Sequence, residues 1–274
     1  MINIAILGST GSIGLTTLNV VRLNKSKFKI LLLSANLNAA KLFSQAKEFN
    51  VKNVIILNSK KNHKWIKKFH NHQINTYDNF SVFKKIFKKK LDYVINAITG
   101  IDGLQPTLNI IKYTNKIAIA NKESIICGWN LIKKIASKSK TKIIPVDSEH
   151  FSIMKLLENH KIKDVKKVYL TASGGPFLNY KISKLKKVKP YQALKHPKWK
   201  MGKKISIDSA TLMNKILEVI EASKLFSIDL KKIDIVIHPQ SLVHAIIEFK
   251  NGLCKFIYHD TTMLIPLANA IFDK

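Results

Sequence analysis

A short apolar run, Ile2–Leu7, leads straight into Gly8-Ser9-Thr10-Gly11-Ser12-Ile13-Gly14 and then into a helical stretch through Arg22. No other feature limits the fold so strongly. A buried strand, a glycine-rich turn and a helix start open a parallel sheet, and the helix presents free backbone N–H groups to a pyrophosphate. The G-x-x-G-x-x-G spacing is a variant of the usual dinucleotide fingerprint. Its place between strand and helix favours a bound nucleotide over a tight turn with no ligand.

The pattern then repeats. A second strand near 30–33 ends in Ser34-Ala35-Asn36-Leu37-Asn38, with no acid at the point where NAD-preferring domains hold the ribose 2′-hydroxyl. That absence favours NADP and places Asn36 and Asn38 among the cofactor candidates. Lys41, one turn into the next helix, is either a phosphate partner or a solvated lysine. A helix at 39–49, a strand at 53–57, a lysine-rich amphipathic region to Lys90, a strand at 93–98, a helix at 104–113 and a strand at 116–120 follow. Alternating strands and helices predict an α/β fold with a Rossmann-like, doubly wound parallel sheet. Ligands in such sheets bind at the carboxyl ends of the strands, where Asn121, Lys122, Asp147 and Glu149 fall.

Composition narrows the function classes. The 274 residues accommodate two domains, and 46% hydrophobic content supports packed cores. Cys127 and Cys254 form no C-x-x-C pair, which fits a reducing compartment. No apolar run approaches a membrane span, and a first strand at Ile2 leaves no room for a leader, so a cytoplasmic protein is expected. The formal charge of +30 suggests a nucleic-acid or anionic-membrane partner, yet Arg22 is the only arginine. Base readout and bidentate phosphate clamps favour arginine, so the lysine excess reads as solvated surface with no specific nucleic-acid partner.

Asp147 and Glu149 stand two apart, which puts both on one side of an extended segment; Glu218 lies one helical turn after Asn214 and beside Lys215. Hard carboxylate oxygens of this kind suit Mg2+ or Mn2+, although paired acids are often merely solvated. Further on, Ser173-Gly174-Gly175-Pro176-Phe177 is a phosphate-holding turn or a plain loop. His196-Pro197-Lys198-Trp199-Lys200-Met201-Gly202 is a loop suited to closing over a ligand, with Trp199 and Met201 as cover. A single helix at 208–225, capped by Asp208 and Ser209, and strands at 234–238, 242–249 and 253–258, the last two joined at Asn251-Gly252, complete the expectation.

These runs, with Ala120-Asn121-Lys122-Glu123-Ser124, Asp208 through Lys215 and Ile237-His238-Pro239-Gln240-Ser241, resemble the 1-deoxy-D-xylulose 5-phosphate reductoisomerase family in order over nearly the whole chain. The resemblance implies an enzyme dependent on NADPH and on Mg2+ or Mn2+, with Co2+ also admitted. Its reaction converts 1-deoxy-D-xylulose 5-phosphate to 2-C-methyl-D-erythritol 4-phosphate in non-mevalonate isoprene biosynthesis. It implies Asp147, Glu149 and Glu218 as metal ligands, and Lys122, Glu149, His150 and Glu218 as catalytic groups, with Glu221 supporting the site. Ser148, Ser173, His196, Trp199, Ser209, Asn214, Lys215 and His244 become substrate contacts. Gly8, Ser9, Thr10, Gly11, Ser12, Ile13, Asn36, Asn38, Asn121, Glu123 and Gly202 become cofactor contacts.

The implied organisation is an NADPH-binding domain over 1–149 and a substrate- and metal-binding α+β domain over 150–274, in a homodimer. The chain departs from the family at Thr261-Thr262-Met263-Leu264, and Leu37 stands where a polar or basic residue is common. The family also continues into a helical C-terminal domain, so the apolar segment 263–272 is expected to need a layer from outside this chain, and a shortened product is expected. Competing readings are a folded but inactive remnant and another NADP-linked two-domain dehydrogenase. For the second, Cys127 lacks a histidine arrangement that would make it a nucleophile.

Overall fold

The computed structural model describes residues 1–199 and 202–272, so Met201 lies outside the described residues. Two compact units divide the chain, one of residues 1–146 with 267 onward and the other of residues 147–266. The break thus falls directly before Asp147.

In the first unit, β1 (Ile2–Leu7), β2 (Phe28–Ala35), β3 (Asn53–Ile56), β4 (Asn75–Tyr77), β5 (Leu91–Asn96), β6 (Thr114–Ile119) and β7 (Lys142–Pro145) form one seven-stranded sheet. The order is β4-β3-β2-β1-β5-β6-β7, and every neighbouring pair is parallel. Connections run through α1 (Ser12–Leu23), α2 (Ala39–Glu48), α3 (His63–Asn71), α4 (Phe83–Ile86), α5 (Leu104–Ile110) and α6 (Lys122–Ser139). Ile4, Ala5, Ile6 and Leu7 are all buried, the signature of a central strand covered on both faces. Strand order reverses between β1 and β5, which opens the ligand crevice of such sheets at their carboxyl ends. The lysine-rich region resolves into α3, β4 and α4 because its aromatics face inward: Phe69 packs edge-on against Phe43 at 5.2 Å.

The second unit contains α7 (Ser148–Leu156), β8 (Val165–Ala172), α8 (Ile182–Leu185), α9 (Pro190–Ala193), α10 (Lys203–Ala210), α11 (Met213–Phe226), β9 (Ile233–Ile237), β10 (Val243–Phe249) and β11 (Cys254–Tyr258). Its four strands run β11-β10-β8-β9, with β8 and β9 parallel and the other pairs antiparallel. Ile153 and Leu156 of α7 and Ala222 of α11 join Val168, Leu170, Ala245 and Ile247 in one core, so both helices lie on the same face of the sheet. The Asn251-Gly252 turn forms as the dipeptide predicts, with Gly252 at φ +86°.

Three expectations are corrected. Asp147 and Glu149 do not share an extended segment: Asp147 is the residue before α7 and Glu149 lies in its first turn. The helix expected over 208–225 is two helices, because Leu212 adopts φ +61° and turns the chain between α10 and α11. Asp208 accordingly sits inside α10, where its carboxylate accepts from Lys204 Nζ at 2.6 Å rather than capping anything. Finally, α12 (Leu264–Phe272) finds cover within the chain. Leu267, Ala270 and Ile271 are buried in the first unit, and the Phe272 ring lies 5.4 Å from that of Phe28.

Candidate active site

The glycine turn is built by exclusion. Gly8 has φ +78°, and a Cβ there would meet the Ala97 carbonyl at 2.8 Å; one on Gly14 would lie 2.4 Å from the Gly8 oxygen and 2.5 Å from Ser9 Cα. Helix α1 can approach β1 this closely only without a side chain. Gly11 is its N-cap residue and supplies no side-chain cap. Ser9 faces the other way. Its hydroxyl donates to Gln45 Oε1 at 2.7 Å, its amide to the Ser34 carbonyl at 2.9 Å, and Gln45 Nε2 returns a bond to the Ser9 carbonyl at 3.0 Å. Ser9 therefore holds the turn's shape, while Thr10 and Ile13 are half-buried and Gly11 and Ser12 exposed along it.

At the end of β2, Asn36 and Leu37 are exposed, and Asn38 caps α2 by accepting from the Lys41 amide at 3.0 Å. At the end of β6, Asn121 donates to the Ile98 carbonyl at 2.9 Å and caps α6 by accepting from the Ser124 amide at 3.3 Å. Lys122 is buried and Glu123 half-buried in the first turn of α6. Gly202 belongs to the second unit, as the exposed residue before α10.

The second unit gathers its charges at the start of α7 and along α11. Lys215 Nζ donates to Glu149 at 2.6 Å and pairs with Glu218 at 2.5 Å. Ser148 donates to the other Glu149 oxygen at 2.6 Å, and Asn214 Nδ2 to the other Glu218 oxygen at 2.5 Å. Burial opposes the charge on Glu149, as does Asp147, but the Lys215 ammonium and the bonds from Lys215 and Ser148 prevail and hold its carboxyl at about 2. Burial likewise opposes charge on Lys215, and Glu149 and Glu218 overcome it and raise its pKa. The cluster is a charged one held together by its own neutralisation.

His150 sits beneath these groups with none of its surface exposed. Its Nε2 lies 2.9 Å from the Glu218 carbonyl oxygen, and its Nδ1 faces Glu221 at 3.5 Å and Asp147 at 4.0 Å. Burial works against its protonation, but Glu221, Asp147 and Glu218 raise its pKa overall. The ligand-type atoms of Asp147, His150 and Glu221 all fall within 4.8 Å of one another, a grouping distinct from the Asp147, Glu149 and Glu218 set read in the sequence.

A second, uncharged cluster lies on the turn after β8. Ser173 Oγ accepts from the Gly175 amide at 3.1 Å and lies 2.9 Å from His196 Nε2. His196 Nδ1 in turn accepts from the Trp199 and Lys198 amides at 2.9 and 3.2 Å, which fixes the proton of the neutral ring on Nε2 and aims it at Ser173. Burial lowers the pKa of His196, in keeping with that neutral form. Gly175 has φ +70°, and a Cβ there would lie 2.7 Å from the Ser209 carbonyl, so the turn closes directly on Ser209. The half-buried Trp199 ring meets the buried His244 edge-on at 6.0 Å.

Sequence reading missed two residues here. Gln45 gave no sign of gripping Ser9, and His259, isolated in a segment without a motif, stacks on His244 at 3.7 Å.

Comparisons with known proteins agree with this arrangement. The family model described as 1-deoxy-D-xylulose 5-phosphate reductoisomerase matches residues 4–128, and that of the same enzyme's C-terminal domain matches residues 143–226. The 1-deoxy-D-xylulose 5-phosphate reductoisomerase of Pelagibacter ubique is 53% identical over 99% of this chain and 71% of its own length. A DOX-P reductoisomerase crystallised with NADPH, fosmidomycin and magnesium superimposes with a TM-score of 0.91 at 34% identity, covering 100% of this chain and 70% of the other. The Zymomonas mobilis reductoisomerase in complex with NADPH gives 0.89 at 32% identity, over 98% and 70% of the two chains. A parallel sheet entered through a glycine turn, a carboxylate cluster in the second unit and identity of this extent lead to one conclusion: the chain belongs to the 1-deoxy-D-xylulose 5-phosphate reductoisomerase family.

Proposed function

We propose that this chain, an NADP-dependent oxidoreductase, catalyses the NADPH- and divalent-metal-dependent isomerisation and reduction of 1-deoxy-D-xylulose 5-phosphate to 2-C-methyl-D-erythritol 4-phosphate. The observation that carries the reading is the convergence of Glu149 and Glu218 on one point, 2.6 and 2.5 Å from a single cationic nitrogen, with Asp147 beside Glu149. An all-oxygen set already arranged around positive charge fits Mg2+ or Mn2+, and admits Co2+. Asp147, Glu149 and Glu218 would hold the ion, which would supply Lewis-acid stabilisation of charge developing on substrate oxygens.

The chain's own residues do the rest. Asn214 and Ser148 orient the two carboxylates, and Lys215 neutralises them and offers its ammonium to the substrate. His150, fully buried, acts as a positioning residue between α7 and α11 rather than as a group touching substrate. Ser173 and His196 offer a hydroxyl and an N–H suited to the phosphate, Ser209, whose main chain packs against Gly175, adds a further contact, and Trp199 excludes water above them. In the first unit the glycine turn and α1 receive the pyrophosphate of NADPH. Lys122, Asn121 and Glu123 flank the nicotinamide end.

A turnover assay tests this directly. Cofactor oxidation is expected only when the sugar phosphate, a divalent cation and NADPH are all present, and oxidation that proceeds without either the metal or the sugar phosphate overturns the assignment. Asp147→Asn, Glu149→Gln and Glu218→Gln should each weaken Mn2+ dependence while NADPH binding persists; normal metal titrations in all three remove these residues from the ligand set. We also read the chain as a cytoplasmic homodimer. Phe256 and Tyr258 on β11 and Leu253 just before it, each about 60% exposed, support that reading, and light scattering at micromolar concentration tests it.

Among the described residues, no helix is long and apolar enough to cross a membrane.

A further inference from the structure

We propose that His259, which has no part in the reading above, is the positioning residue that fixes both the tautomer and the ring plane of His244. The inference rests on the reading of His244 as a substrate contact. The two rings stack with centroids 3.7 Å apart and planes 16° from parallel. Both residues are buried, at 2% and 7% exposure. A carbonyl oxygen can only accept, so the 3.1 Å contact between His244 Nε2 and the main-chain oxygen of His259 places the proton on His244 Nε2.

The same reasoning holds His259 in place. Its Nδ1 lies 2.7 Å from the Asp260 carbonyl, so Nδ1 carries the proton and the ring is fixed by its own neighbour. Phe151 backs the ring at 6.4 Å, and His259 Nε2 is buried with no hydrogen-bond partner. One chain position therefore acts twice on His244: its carbonyl selects the tautomer and its ring sets the plane. What remains on His244 is a lone pair at Nδ1, an acceptor suited to a substrate hydroxyl, on a ring whose edge-on contact at 6.0 Å is Trp199. Local orienting partners of this kind tune ligand groups elsewhere in proteins.

The full chain labelled with 15N-histidine provides a readout that simple structural support would not move. In the unsubstituted protein, His244 should show a single Nε2–H tautomer in long-range 1H–15N spectra. In His259→Ala the main-chain carbonyl and hence the Nε2–H tautomer should stay, but the unstacked His244 ring should show shifted and broadened resonances, with the KM for the sugar phosphate raised about tenfold and kcat held within roughly threefold. His259→Phe restores the stack, and should return the His244 resonances to their positions in the unsubstituted protein and bring KM to within about twofold. It also separates lost positioning from lost fold. An unchanged His244 spectrum and KM in His259→Ala overturn the proposal, as does a folded His259→Phe protein as impaired as the alanine variant. Full activity in His244→Gln would instead sink the underlying reading of His244, and the His244 spectra of the His259 variants would still measure what the His259 ring does.

Discussion

The first unit makes its ligand site from main chain and the second from side chains, and the two fail in different ways. At Gly8 and Gly14 the atoms that a side chain would meet are all main-chain ones; what matters is that no Cβ stands between β1 and α1. Around Lys215 almost everything is charged, and what matters is that buried charges cancel. A backbone site tolerates changes of charge nearby and no change of volume. A side-chain site of this kind is the reverse.

The largest effect expected from this contrast is at Lys215. Lys215→Met leaves the buried Glu218 and the half-buried Glu149 without their cation, and should cost about 3 kcal/mol of stability in metal-free protein by urea unfolding. Added Mn2+ should recover much of it, since the ion restores the missing charge. A variant as stable as the parent without metal would show that the cluster does not depend on neutralisation. Next comes Gly14→Ala, whose methyl group collides with main-chain atoms at 2.4 and 2.5 Å. It should cost about 3 kcal/mol and abolish NADPH binding by fluorescence titration, with the metal site intact. Retained NADPH affinity would break the comparison on its backbone side.

The smallest effect is one of selectivity. Asn36→Asp introduces an acid at the exposed end of β2 and should shift the NADPH-to-NADH preference by roughly fivefold, the equivalent of about 1 kcal/mol between like charges in water. Steady-state kinetics with both cofactors measures it, and an unchanged ratio would remove this position from cofactor discrimination.

Features governed by short-range chemistry were legible in the sequence. The glycine turn was, because left-handed φ and close approach admit few residues, and so was the Asn251-Gly252 hairpin. Acids and ammonium could be named individually, yet nothing in local spacing said that Glu149 of α7 meets Lys215 of α11 across 66 positions of chain. The two-residue argument for Asp147 and Glu149 picked out acids that do lie close together, but for a reason the helix of α7 does not supply. The break before α11 was hidden because Leu212, with no glycine to mark it, takes a left-handed conformation that costs about 1–2 kcal/mol and persists under tertiary constraint. His259 was invisible for the plainest reason: a lone histidine has no pattern until its partner is beside it.

The placement of residues 267–272 of α12 in the first unit sets an order of events during synthesis. Phe28 lies at the start of β2, among the earliest strands to leave the ribosome, while the ring it packs against belongs to Phe272. At translation speeds of about 5–20 residues per second, roughly 12–50 s separate the two. Through that interval the whole of 147–266 emerges and can fold, while the older unit waits with one part of its core uncovered. The unit that starts first is thus the one that finishes last, and a nascent chain stalled before residue 272 should expose Phe28 to chaperones rather than anything near Lys215.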